Sequence, residues 1–399
     1  MKKNPLFIVV GILVLIGIFL GWKMMQSEPE STSNTDVTLN APATPNPLEL
    51  ASKIESVGDI KNLPRNEQLA IWQQRYERAE QVYTSYKDHT RYPFDSRPID
   101  EHSDQIKPFD PVSELKVMKD ASGNPVKGLR LRTTQERVFA SGNDTVLFSI
   151  EAFDENNKPV PLTVNNSEAR SVPEPNNNDP IVKLNLPFND SGTNGDVKAN
   201  DGKYSAKLSP LTQGFSNFSG TIRLLAEVTA NGEKGVAHFD IIYTPEVPAT
   251  WAGVRDVVEN GSLNFYVKTQ VKSPGRYFII GIVYDGNGKP FAYLKGEDEA
   301  KAGTHEFKLN LFGALIRDKN PTFPLQLVDV YGFLLKQDVF PDRSMMPRQP
   351  GVVHTTGRYS ADQFSASEWT SEERERYLKE YEKDLKEALD EINRLKSGS

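Results

Sequence analysis

A chain of 399 residues with a formal net charge of −7 and no cysteine excludes several classes at once. The acidic balance gives no support to nucleic-acid binding. Without Cys there are no disulfide staples, no thiolate metal or redox sites and no lipid-modified cysteine, so an exported body must be held by packing alone.

Every residue from Leu6 through Trp22 is apolar or Gly, and Lys2 and Lys3 precede the run. A membrane-spanning helix needs about 17–25 such residues, and Met24 and Met25 can extend this one past a snorkelling Lys23. The amino-terminal positive charge predicts a start in the cytoplasm and transfer of the rest across. A cleaved signal peptide is the competing reading, but residues 21–25 offer no small-x-small site. The domain reading is therefore a cytoplasmic start and signal anchor over 1–25, contacting the lipid bilayer from Leu6 to Trp22. The expected location is a bacterial inner membrane, single-pass, with the bulk of the chain periplasmic.

Residues 26–47 are rich in Ser, Thr, Asn, Pro and Glu and read as a disordered linker. Within 48–111, a helix is expected over 65–88. Leu69, Trp72, Tyr76, Ala79, Tyr83 and Tyr86 step 3-4-3-4-3 along one face, and Pro64 suits the first turn. Residues 91–111 carry four X-Pro steps, which predict an extended crossing on the surface.

Residues 112–245 alternate in period two. Val146, Phe148, Ile150 and Ala152 share one face of a strand; so do Ile222, Leu224, Ala226 and Val228, and Ala237, Phe239, Ile241 and Tyr243. Such runs, broken by Gly, Asn and Pro turns, indicate a β-sandwich. Gly142-Asn143-Asp144 and Asn231-Gly232 read as hairpin turns, and 165–180 as a long loop. A second β-sandwich is expected over 250–343. Leu263, Phe265, Val267 and Val271 share a face, the run from Tyr277 to Tyr284 is apolar on both faces and reads as a central strand, and Asp285-Gly286-Asn287-Gly288 reads as a hairpin. Residues 344–367 read as a linker.

Over 368–399 a charged amphipathic helix is expected, opened by a capping box at Thr370-Ser371-Glu372-Glu373. Leu378, Tyr381, Leu385, Ala388, Ile392 and Leu395 repeat the narrow seam. Glu375–Lys379, Glu382–Lys386 and Asp390–Arg394 are spaced for i,i+4 pairs. Helices 65–88 and 370–396 are candidates for pairing with each other, or for a coiled coil joining two copies.

The one candidate metal site is the stretch 189–205, NDSGTNGDVKANDGKYS. Ca²⁺ takes six to eight oxygen ligands on a sharply turning chain. Asp190, Asn194, Asp196, Asn200 and Asp201 could supply them. The competing reading is a loop of Asx-turns leading into a strand. No other cofactor is expected.

That stretch is similar to the D-x-G-x-x-G-D-x-x-x-x-D-G-x-Y segment of bacterial extracytoplasmic Ig-like domains, including choice-of-anchor X proteins. GSLNFYVKTQVKSPGRYFIIGIVYDGNGKPFAYLKG (261–296) and AGTHEFKLNLFGALIRD (302–318) also resemble that group. The resemblance covers roughly 112–342. It implies tandem Ig-like sandwiches in the cell envelope and no settled activity; Ser191 departs from an acid often found there.

No catalytic constellation appears: no G-x-S-x-G, H-E-x-x-H, P-loop or post-strand G-x-G-x-x-G. The five histidines, His89, His102, His238, His305 and His354, lack helical metal spacing. The expected fold is mainly β, two tandem Ig-like antiparallel sandwiches with flanking amphipathic helices and an amino-terminal transmembrane helix. The expected function is non-enzymatic presentation of these domains for protein binding or envelope assembly, with other envelope proteins as partners. A membrane-tethered hydrolase of envelope polymers is the alternative.

Overall fold

The computed structural model describes residues 60–173 and 181–397. The apolar run from Leu6 to Trp22 and the linker over 26–47 lie outside them. Among the described residues, no helix is long and apolar enough to cross a membrane. Among the described residues, backbone proximity gives a larger unit within Arg75–Asp390 and a smaller one of 60–74 with 391–397.

Helix α1 is Arg65–His89. Pro64 ends the approach, and its carbonyl accepts from the amides of Glu67 and Gln68, both at 2.9 Å. The seam residues Leu69 to Tyr86 are the sheltered ones, with Trp72 fully buried. Next comes a short strand, β1 (Ser96–Pro98), and a 3-10 turn over Ile99–Gln105.

The first sandwich holds β2 (Val112–Lys119), β3 (Pro125–Gln135), β4 (Phe139–Ser141), β5 (Val146–Asp154), β6 (Leu162–Ser171), β7 (Lys183–Asn185), β8 (Tyr204–Leu208), β9 (Gly220–Ala230) and β10 (Glu233–Thr244). The order β7-β6-β9-β10 makes one layer and β2-β3-β5-β8 the other, and among the described residues the one ladder pairing between these two layers is Val236↔Lys119. Inward residues of both layers, including Phe148, Ile150, Leu224, Phe239 and Tyr243, share one core. Phe153 points outward yet is buried, because the Arg132 guanidinium lies 4.3 Å from its ring centre.

Asn231-Gly232 does close the β9–β10 hairpin, with φ of 47° and 88°; two residues in that region match the twist of the strands. Gly142-Asn143-Asp144 is a turn but not a hairpin, since β4 pairs parallel with β10 rather than with β5. The stretch 165–180, read as loop, is strand up to Ser171. Asn165 is accommodated by a register shift between Val164 and Asn166 opposite β9, and residues 174–180 lie outside the described residues.

The second sandwich sets a three-stranded layer, β11 (Ala249–Glu259), β12 (Ser262–Val271) and β15 (Gly303–Leu311), against a six-stranded one. The larger layer contains β13 (Gly275–Tyr284), β14 (Pro290–Ala300), β16 (Gln326–Leu335), β17 (Arg343–Met345) and β18 (Gln349–Thr355), with β1 at its edge. A short helix, α2 (Gly313–Lys319), joins β15 to β16. The doubly apolar run is indeed central: β13 pairs with β14 on one side and β16 on the other. One buried cluster fills the space between the layers.

Parts of a segment read as a crossing and of one read as a linker belong to this second sandwich. Ser96–Pro98 pairs with Leu294–Ala292 of β14; an edge position tolerates Pro98, whose nitrogen cannot donate. Residues 344–367 were expected to lie outside it, but β17 and β18 both pair with β16. Their Pro and Gly content fits short, bulged edge strands.

Helix α3 is Glu372–Ser397. Its cap is Ser371 rather than Thr370: Ser371 Oγ accepts from the Arg374 amide at 3.0 Å. Its ion pairs also differ from the expected three. Arg376–Glu372, Lys383–Glu380 and Arg394–Glu391 form instead. Within the larger unit, Tyr86 of α1 packs edge-on against Tyr377 and Tyr381 of α3, with ring centres 5.7 and 5.2 Å apart. Arg374 reaches Thr90 Oγ1 and Glu368. Within the smaller unit, Arg65 Nε donates to the Leu395 carbonyl at 2.6 Å.

Candidate functional site

The Asp/Asn loop joins β7 to β8. One carboxylate oxygen each from Asp190, Asp196 and Asp201 lie within 4.8 Å of one another. These three are the residues that could hold a divalent cation. Each of the three also takes part in holding the loop. Asp190 accepts from the amides of Asp201 (3.1 Å) and Gly202 (3.0 Å), one on each oxygen. Buried Asp196 accepts from the Gly192 amide at 2.6 Å, and Asp201 from Lys203 at 3.0 Å. Asn194 and Asn200 serve the backbone: both sit at positive φ, 50° and 58°, which Asn tolerates better than most residues. The arrangement thus brings three of the five candidates together as acids and uses the other two as turn formers.

A second polar cluster was not singled out by sequence. Asp256 of β11 accepts from His354 Nε2 of β18 at 2.6 Å and from the Tyr359 hydroxyl at 2.7 Å. Burial raises the Asp256 carboxyl, but the bonds from His354 and Tyr359 outweigh it and leave its pKa below the ordinary value. The same carboxylate, by accepting the hydrogen bond of the Tyr359 hydroxyl, pushes that phenol up to about 12. A His–Asp pair suggests base chemistry, yet among the described residues no hydroxyl bonds the other imidazole nitrogen. Its ring instead meets Phe265 edge-on. The cluster works as a clasp, tying the carboxy-terminal segment of one layer to β11 of the other. Only the pairing of strands distant in sequence assembles it. Elsewhere, His238 and Asp240 share a strand face, but Asp240 is held by both arms of Arg223 at 2.7 and 2.6 Å.

Two concavities stand out. One, of about 530 Å³, opens where β2 diverges from β10; Glu114, Lys116, Met118, Leu131 and His238 are among its lining residues. The other, of about 350 Å³, has Tyr92, Phe94, Arg97, His102 and Trp369 on its walls. Neither gathers paired carboxylates: Glu114 bonds Lys116 Nζ at 2.6 Å, and Asp120, at the rim of the first, accepts the amides of Ser122 and Asn124 in its own turn.

No protein-family model matches the chain, and no curated protein sequence matches it. Solved structures do. A DUF4785 family protein from Legionella pneumophila matches at 13% identity and a TM-score of 0.39, over 58% of each chain. Dimeric latent PorU from Porphyromonas gingivalis matches at 14% identity and a TM-score of 0.18, over 62% of this chain and 21% of that one. A titin Z1Z2 chimera matches at 11% identity and a TM-score of 0.18, over 62% and 95%. The chain thus spans little more than half of the Legionella protein.

Proposed function

We propose that this is a non-enzymatic, membrane-anchored protein that presents two Ig-like β-sandwiches on the extracytoplasmic side of a bacterial inner membrane for protein binding or envelope assembly. The observation that carries the reading is the pair of separately filled cores, one per sandwich. Neither concavity pairs carboxylates or builds a nucleophile and base; enzymes place such groups together in a pocket. What the surface offers instead is strand edges and loops on a rigid scaffold, the usual materials of protein recognition. The apolar run from Leu6 to Trp22 supports the anchor, and the lysines before it support the orientation.

Protease added to spheroplasts tests this reading. The expected result is loss of the β-body with the protein in the membrane fraction. A protected body, or a mature species free of lipid, would overturn it.

A further inference from the structure

Strand β2 is an edge with a free side. The amide of Glu136 donates to Leu147 at 2.9 Å, so the even-numbered residues of β3 bond β5 and its odd-numbered residues face β2. The register Glu114↔Thr133 and Lys116↔Leu131 then commits the even residues of β2 to β3. The N–H and C=O groups of Ser113, Leu115 and Val117 point away from the sheet. On the other layer, β10 meets β2 only at Val236↔Lys119 and then diverges. Among the described residues, nothing pairs with β2 from Ser113 to Val117 on that side. Beside this edge, Val112 and Val117 are exposed, Val117 at 51%.

An unpaired edge is a template for another strand. Here the side chains specify which one. Place a second β2 antiparallel to the first about a twofold axis at Leu115. Leu115 then faces its own copy, Ser113 faces Val117, and Glu114 faces Lys116 twice over. The hydrogen-bonding parity is satisfied, because the paired odd residues are the ones with free N–H and C=O groups. Directly opposed side chains lie about 4.5–5.5 Å apart at Cβ, where opposite charges attract and like charges repel. Each Glu114–Lys116 contact within a strand would gain a partner across the axis. Val117 would gain a neighbour in both copies. A symmetric interface needs a patch complementary to itself, and this five-residue edge has that property in charge, in register and in backbone polarity.

We propose that β2 is a self-association edge, joining two copies of this chain through an antiparallel β2–β2 ladder centred on Leu115. This moves the homotypic contact away from α1, whose Tyr86 is already covered by α3 within the chain.

The absence of Cys from the chain makes the test direct. Leu115→Cys in the purified full chain, held in excess detergent micelles, is treated with a short bis-maleimide. Lys158→Cys, at the exposed β5–β6 turn, is the control. A covalent dimer is expected at position 115 and not at 158. Glu114→Lys added to Leu115→Cys should reduce the yield at least tenfold, by placing lysine opposite lysine. Glu114→Lys with Lys116→Glu should restore it, since the swapped pair is again complementary. Equal cross-linking at 115 and 158, a yield indifferent to Glu114→Lys, or no recovery in the swapped variant would each overturn the proposal.

Discussion

Arg91 holds Asp318 with two guanidinium nitrogens, Nε at 2.7 Å and Nη2 at 3.0 Å, while Tyr92 donates to the same carboxylate at 2.7 Å. The remaining arm of Arg91 reaches Glu368 at 2.9 Å. The chain just after α1, helix α2 and the approach to α3 therefore meet at one charged node. Arg91, by hydrogen bonding, holds the Asp318 carboxyl below its ordinary range, with Tyr92 adding to the effect against the opposing pull of burial.

A depressed carboxylate pKa stabilises the fold at pH above the unfolded value of about 3.9. The contribution fades as pH falls through the lower folded value. Asp318→Asn should therefore cost about 1 kcal/mol at neutral pH, as suits a partly exposed pair. Thermal unfolding from pH 7 to pH 2 checks this: the gap between the two proteins should close at the acid end. A gap constant with pH would remove the charge from the account.

Burial pushes the phenols of Tyr243 and Tyr277 up to about 12. Raised pKa values carry the opposite sign: the stabilisation is complete below about 10, the unfolded value, and disappears as pH climbs through the folded one. Tyrosinate absorbance followed with far-ultraviolet dichroism should show these phenols ionising only as the sheets unfold. Tyr243→Phe forgoes a 3.1 Å bond to the Gly142 carbonyl, worth about 1 kcal/mol, and should move alkaline unfolding to higher pH.

A Cβ on Gly313 would overlap the Gly261 carbonyl and lie 2.9 Å from the backbone of Ser365. Backbone atoms at that distance cannot swing aside, so Gly313→Ala should destabilise by about 1–3 kcal/mol or more. Gly202 has no atom within 4 Å of its Cβ position but a φ of +83°; Gly202→Ala should cost only about 1 kcal/mol of backbone strain. Chemical denaturation of both variants checks the contrast, and equal losses would contradict it.

The loop at Asp190 is held by its own amides, so it should keep its fold in chelator. Asp190→Ala should lower stability by about 1–3 kcal/mol whether or not calcium is present. A calcium-dependent rise in melting temperature that vanishes in Asp196→Asn would instead assign the three acids to a metal.

Much of the sandwich architecture was legible because one wet face per sheet leaves a period of two. Ile222 to Val228 and Ala237 to Tyr243 are buried on the alternation read from sequence, and Asn231-Gly232 marks its hairpin through its backbone preference alone. Edge elements were not legible. Ser96–Pro98, Arg343–Met345 and Gln349–Thr355 are short and Pro- or Gly-flanked, and their partners lie elsewhere in the chain, so they carry no local period. The Asp256–His354–Tyr359 clasp is hidden for the same reason. At 189–205 the acids were visible, but their use by loop amides was not, since residue type alone does not say which oxygens are already engaged.

The strand at Ser96–Pro98 is made before the first sandwich, yet its mate in β14 is made after it. During synthesis from the amino end, this strap must wait while a whole neighbouring domain is completed. Domains generally mature as units in the order they emerge, so the earlier sandwich can settle alone while the later one stays unfinished at that border. A nascent chain stopped just short of Pro290 should therefore be vulnerable to proteolysis on either side of an intact, early-folded core.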